Sequence, residues 1–190
     1  MPQIDIARPV LRAGYARMTF TNMDGAAGPK LLPRQCHEDD GGSLERLFAA
    51  DKLAEAGVKL EVVNINLTRT THLGTVEGLH MQRQPCAEAK IVTCIAGRIF
   101  DVAVDLRPES PTFGQWFGID LSPDKRESLL IPEGFADDMQ CLEPNSMVNY
   151  VHSVAYAPSA ETGVRPLDPD VAVAWLLPPK YLSQRDQSRP

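Results

Sequence analysis

The stretch that decides the fold is "AKIVTCIAGRIFDVAVDLR", residues 89–107. In an extended chain Phe100, Val102, Val104 and Leu106 share one face, and Asp101, Ala103 and Asp105 take the other. Ala96-Gly97 divides the stretch at a natural turn. Working outward, "KLEVVNINLTRT" (59–70) alternates and is rich in β-branched residues, as strands are. "FGQWFGIDLS" (113–122) and "SLLIPEGFA" (128–136) add short strands set apart by proline and glycine, and "SMVNYVHSVAYAP" (146–158) is a further alternating run. Short strands recurring at roughly ten-residue spacing predict an all-β sandwich or barrel. One helix is expected in "FAADKLAEAG", ending on Gly57 as a left-handed stop.

The flanks differ from this core. Residues 1–35 contain "NMDGAAGPKLLPRQ", rich in glycine and proline, and read as an N-terminal arm or loop ahead of a single domain over 36–190. From Pro158 onward the tail holds six prolines, so it should wrap the surface rather than form a long helix.

Bulk properties narrow the function. The 190 residues suffice for one domain with a real core. A net charge of −6 gives no basic footprint for nucleic acid, and any phosphate site must be built locally. "MPQIDIARPV" has no secretory pattern, and the apolar run "VAVAWLL" (171–177) is too short to span a bilayer. Cys36, Cys86, Cys94 and Cys141 form no CxxC pair and read as reduced thiols of a cytoplasmic protein.

Few residues stand out as chemistry. His80, in "GTVEGLHMQ" (74–82), has no HxH or HxxxE companion, which speaks against a metal site. Taken alone, an apolar-flanked histidine is more often an interior residue with a satisfied ring than a base. Lys90 shares parity with Val92 and Cys94 and is buried if that face points inward; with the opposite parity it is a surface lysine. Tyr150 and Tyr156 have the same parity on one expected strand, as site residues or as ordinary core or rim aromatics. Asp186, in "LSQRDQ", looks by itself like a solvated tail residue.

Taken together, these residues resemble the dTDP-4-dehydrorhamnose 3,5-epimerase family of cupin-type sugar-nucleotide epimerases. The resemblance runs from about Asp39 to Asp186. It rests on "KIVTCIAGRIFDVAVDLRPESPTFGQW" (90–116), "IPEGFA" (131–136), "YAP" (156–158), "DPD" (168–170), "LSQRD" (182–186) and "NLTRTTHLGTVEGLHMQ" (66–82). It implies a cupin-type jelly-roll β-barrel with short peripheral helices, a homodimer, and no metal or cofactor. It also implies roles. His80 matches the base that removes a proton next to a ketone, and Asp186 the carboxylate that orients it. Lys90 matches the cation at the enolate oxygen. Tyr150 matches the acid on the opposite face, and Tyr156 a tyrosine that packs on the substrate. The same resemblance places Asn66, Gln82, Glu77, Asp137 and Arg46 at the binding pocket.

The chain departs from the family pattern where that pattern binds phosphate. Glu77 replaces the arginine of Arg-Gly-Leu-His, and Asp137-Asp138 replaces His-Gly after "FA". Arg46 stands where the family has a glutamate. Glu77 and Arg46 could form a charge-swapped ion pair. Otherwise a carboxylate at position 77 repels a diphosphate. Three readings follow: an epimerase acting next to a ketone with an altered diphosphate pocket, an isomerase or cyclase of this fold on a non-nucleotide carbonyl compound, and a ligand-binding cupin without turnover.

Overall fold

The computed structural model describes residues 28–55, 57–183 and 186. Most of the expected N-terminal arm, residues 1–27, lies outside the described residues. The elements in chain order are β1 (Lys30–Pro33), β2 (Cys36–Asp39), β3 (Gly42–Glu45), α1 (Ala50–Glu55), β4 (Asn64–Thr70), β5 (Leu79–Gln82), β6 (Lys90–Ala96), β7 (Ile99–Asp105), β8 (Trp116–Leu121), β9 (Glu127–Ile131), β10 (Phe135–Cys141), β11 (Ser146–His152) and β12 (Glu161–Val164). Two five-stranded antiparallel sheets carry the fold. One has the order β1-β9-β6-β11-β4 and the other β12-β5-β10-β7-β8. They face one another as a barrel-like sandwich of the cupin jelly-roll type, as expected.

The two faces of β7 explain the sequence pattern that opened the reading. Ile99 and Ala103 point between the sheets, into a core with Val92, Cys94, Met139, Val148 and Tyr150. Phe100, Val102 and Val104 pack on the opposite face with Trp116 and Val171, and with the half-buried Trp175 of the tail. Phe100 meets the rings of Trp116 and Trp175 edge-on, with centroids 6.5 and 6.4 Å away. Both faces are therefore covered, and every residue of β7 is buried. A third cluster, Ile91, Leu130 and Val151 under Leu53 of α1, closes the outer face of the first sheet.

Several elements differ from expectation for local reasons. β4 begins only at Asn64, because the preceding residues make no ladder beyond a single bond from Val63 N–H to the His152 carbonyl. β11 ends at His152, so Tyr156 lies in the loop beyond it. Two strands were hidden by composition. β1 sits inside the proline-rich leader and pairs with β9, and β12 sits inside the proline-rich tail and pairs with β5. Each is a short edge strand, the position where proline-bordered segments are tolerated. α1 and its stop at Gly57 (φ +75°) form where expected.

Candidate active site

β5 and β6 carry the two groups that define a chamber between the sheets. Leu79 and Met81 pack outward, so His80, between them, points inward. Lys90 takes the inward parity of Val92 and Cys94, which resolves its two possible orientations. The tail returns across this end of the sandwich. Lys180 bridges Thr75, and Gln140 holds the backbone of Leu177 at both ends of its amide.

This path delivers Asp186 to the imidazole. Asp186 Oδ1 is 2.7 Å from His80 Nε2, a contact spanning 106 residues of sequence. Ser183 Oγ donates to Asp186 Oδ2 at 2.6 Å, and Gly78 N–H donates to the same carboxylate. Burial alone would raise the pKa of Asp186. The hydrogen bonds from Ser183 and His80 outweigh it and hold the acid below the ordinary carboxylate range. An ionised Asp186 fixes the proton on Nε2, and Nδ1 is then the basic nitrogen.

Lys90 is nearly fully buried. Its Nζ donates to Asp137 Oδ1 at 2.6 Å and to the His80 carbonyl at 3.3 Å, with Glu88 Oε1 3.8 Å away. Burial opposes its charge, but Asp137 and Glu88 overcome that, and the ammonium is held more firmly than in water. Glu88 also accepts from His152 Nδ1 at 2.9 Å, and His152 stacks on Tyr150 with centroids 6.1 Å apart. Tyr150 is buried beside these groups. Burial, then the fields of Asp138, Asp101, Glu77 and Asp137, push its pKa well above that of a free phenol, so it stays protonated.

The acids Glu77, Asp101, Asp137 and Asp138 all act on this chamber. Asp138 Oδ2 lies 3.7 Å from His80 Nδ1. Asp137 and Asp138 are consecutive on β10, which keeps an unbroken register with β7; the one-residue shift between the Val76–Gln140 bridge and the His80–Asp137 pair places its extra residue on β5. Burial and the field of Glu77 raise Asp138 well above the usual carboxylate range. Asp101 is completely buried, and neither of its oxygens has a hydrogen-bond partner. Burial and the nearby Asp137 raise its pKa well above the usual carboxylate range as well.

The remaining expected site residues fall elsewhere. Gln82 is buried but structural: its amide donates to the carbonyls of Cys86 and Ala155 and accepts from Ala157 N–H. Asn66 is exposed on β4 and bonds His152 Nε2 at 3.3 Å. Tyr156 is 60% exposed, and its hydroxyl donates to Glu161. Arg46 lines a cavity with Leu32, Phe48 and Ile91 on the outer face of the first sheet, away from the face that carries Tyr150. The charge-swapped pair of Glu77 with Arg46 does not form. Glu77 instead accepts from Thr70 Oγ1 at 3.1 Å. Glu88, Asp101, Asp138 and His152 escaped sequence reasoning as site residues. The available signals were Asp101, a charged residue in the middle of a largely apolar strand, and Asp138, part of the departure from the family motif after "FA". Among the described residues no group of three His, Cys, Asp or Glu side chains is arranged to hold a metal, and no helix is long and apolar enough to cross a membrane.

Comparison with known proteins gives a consistent result. The family model described as dTDP-4-dehydrorhamnose 3,5-epimerase matches residues 25–190. The enzyme of that name from Methanothermobacter thermautotrophicus is 35% identical over 161 residues, 85% of this chain and 84% of the relative. The dTDP-4-dehydrorhamnose 3,5-epimerase from Bacillus anthracis, solved with TDP and PPi bound, superposes with a TM-score of 0.83 at 36% identity, covering 85% of this chain and 93% of its own. A 4-keto-6-deoxy sugar epimerase from the novobiocin biosynthetic gene cluster of Streptomyces spheroides gives 0.82 at 35% identity, covering 87% and 83%. These matches favour catalysis over a non-catalytic cupin and over a cyclase. The chain belongs to the dTDP-4-dehydrorhamnose 3,5-epimerase family and is an isomerase, an epimerase that works by removing a proton next to a ketone.

Proposed function

We propose that this chain epimerises a nucleotide-linked 4-keto sugar, with His80 as base and Tyr150 as acid. The observation that carries this reading is the 2.7 Å contact of His80 with Asp186 beside the Lys90 ammonium. A proton next to a ketone is far less acidic than an imidazolium, so the base needs help on both sides of the transfer. Asp186 stabilises the imidazolium as His80 Nδ1 takes the proton. Lys90 has two N–H groups engaged, by Asp137 and the His80 carbonyl; the third serves the developing enolate oxygen. Inversion requires a proton from the opposite face, and the buried phenol of Tyr150 supplies it. Asp137 tempers the field of Lys90, so this enolate is less strongly stabilised than it would be by an unpaired ammonium.

The diphosphate clamp is altered. Glu77 cannot hold a phosphate, and the exposed Arg83 and Arg165, next to the paired strands β5 and β12, are the basic residues placed to take that part. Tyr156, at the rim, packs on the substrate. The enzyme acts without metal or cofactor, in the cytoplasm, as a homodimer. Its four unpaired cysteines suit a reducing compartment. Arg46, remote from its own chamber, serves the site of the second copy.

Incubation with dTDP-4-keto-6-deoxyglucose in deuterated water tests the reading. Deuterium should enter the carbons next to the ketone, and His80→Asn should reduce the rate by at least two orders of magnitude. Undiminished exchange in that variant rejects His80 as the base.

A further inference from the structure

The sheet that faces His80 carries a second histidine–carboxylate pair, one that the proton transfers do not use. His152, the last residue of β11, shares the inward parity of Val148 and Tyr150. It stands opposite Lys90 of β6 in the ladder. The two chains stay joined past the strand ends: Ser153 N–H donates to the Ala89 carbonyl at 3.0 Å, and Ala89 N–H donates to Ser153 Oγ at 2.8 Å. That closure brings Glu88, two residues before Lys90, within reach of both His152 and Lys90.

The imidazole of His152 is engaged at both nitrogens. Nδ1 lies 2.9 Å from Glu88 Oε2, and Nε2 lies 3.3 Å from the amide nitrogen of Asn66. The amide nitrogen donates and the carboxylate accepts, so one neutral tautomer, with its proton on Nδ1, satisfies both contacts. His152 is therefore not a second base, and its effect falls on Glu88. The Glu88 side chain is only 9% exposed, and its other oxygen, Oε1, is 3.8 Å from Lys90 Nζ. At that distance it adds its charge to the surroundings of the ammonium but takes no hydrogen bond from it. Two N–H groups of Lys90 go to Asp137 and the His80 carbonyl. The third is the one a reacting carbonyl oxygen needs. Apart from Asp137, Glu88 is the one carboxylate among the described residues within ion-pair distance of Nζ, and so the competitor for that N–H.

We propose that His152 is a positioning residue for the epimerase reaction: by holding Glu88 Oε2 it keeps Glu88 off Lys90 and reserves the third ammonium N–H for the enolate oxygen. The use of that N–H rests on the epimerase reading above; the restraint on Glu88 does not. A hydrogen bond from an ammonium to a carboxylate is charge-assisted and strong, so a released Glu88 closes the remaining distance and fills the donor. The enolate then loses a contact that matters only as its charge develops, and the loss appears in kcat rather than in KM.

Substitution at His152 separates this restraint from simple packing. His152→Phe keeps a ring beside Tyr150, where the imidazole now stacks with centroids 6.1 Å apart, and removes the donor to Glu88. His152→Leu, smaller and equally unable to donate, gives the same reading should the phenyl ring not fit. Deuterium incorporation from dTDP-4-keto-6-deoxyglucose should fall by at least about tenfold in kcat, with KM changed by no more than about twofold. Adding Glu88→Gln takes away the competing charge, and the double variant should recover most of the loss. His152→Asn, whose amide nitrogen can stand in for Nδ1, should recover it too. A crystal structure of His152→Phe should show Glu88 within hydrogen-bond distance of Lys90 Nζ, a readout that needs no substrate. Glu88 found at its present distance overturns the proposal. So does a kcat unchanged in His152→Phe, or a loss that Glu88→Gln does not rescue. Closure of Glu88 onto Lys90 together with the rescue supports both the restraint and its use in catalysis. Closure in that structure, with no incorporation by wild type from the probe, supports the restraint and counts against the epimerase reading.

Discussion

Replacing Asp186 by Asn keeps the shape of the side chain and removes its charge. The amide no longer fixes the proton on His80 Nε2 or stabilises the imidazolium, so kcat should fall by about 10²- to 10⁴-fold, with KM changed much less. Steady-state kinetics on the 4-keto probe checks this, and a change confined to KM would contradict it. At Asp101 the expectation concerns stability. Its folded pKa is raised by burial, so it keeps its proton in the native state after the unfolded chain has lost one. That contribution to stability is complete below the ordinary carboxylate range and is lost as pH rises through the folded value. Asp101→Asn cannot lose it, so the variant's Tm relative to wild type should rise between pH 5 and pH 8, by a few degrees. Thermal melts across that range decide it; parallel curves would mean Asp101 ionises normally. The residue scale is also where the sequence was least legible. Asp186 sits in a polar tail and shows no local sign of its role, because its function depends on a chain reversal 106 residues from its partner. Only the ordered family motifs pointed to it. Asp138 was visible as a departure from those motifs, yet nothing local indicates that its carboxylate comes within 3.7 Å of His80 Nδ1.

At the scale of elements, the turn into β5 is what brings the dyad together. A Cβ built on Gly78 would overlap Asp186 Oδ1 and Cγ, so the close approach of tail to strand requires a residue without a side chain here. Gly78→Ala should push the carboxylate off His80 and lower kcat nearly as far as Asp186→Asn, while the Tm drops by only a few degrees. Combining the two substitutions should cost little more than either alone, because they disable the same contact; a fully multiplicative loss would separate them. Elements with strong alternation, such as β7 and β11, were plain in the sequence because one face meets the inter-sheet core. β1 and β12 were not, since edge strands need only four paired residues and carry no apolar periodicity of their own. The expected extension of β11 to Tyr156 failed for a related reason. Alternation persists past His152, but the neighbouring strands β4 and β6 offer no further partners.

At the scale of the whole molecule, β4 leaves a question that a single chain does not answer. It is an edge strand, and its unpaired side presents backbone N–H and C=O groups to solvent. Its outer face carries Ile65 and Leu67, 61% and 57% exposed, and Val63 just before it is 45% exposed. Ile65 lies opposite Val151, whose face is sealed by α1, so the apolar surface continues from a buried cluster onto an open edge. Soluble chains rarely leave such an edge uncovered, and a second copy of the same strand can cover it with the same residues through a two-fold axis. This supports the homodimer proposed above. Light scattering coupled to size-exclusion chromatography should give the mass of two chains for the wild type, and that of one for Ile65→Asp/Leu67→Asp. Carboxylates placed on the two-fold face would oppose each other across the interface, and neither takes part in the inter-sheet core, so the monomer should keep its strand signal in circular dichroism. If Arg46 serves the neighbouring site, the monomer should also lose affinity for the nucleotide-linked ketone while retaining the His80–Asp186 contact. A variant that stays dimeric places the interface elsewhere; one that becomes monomeric with unchanged KM shows that each chamber binds its substrate without the other chain.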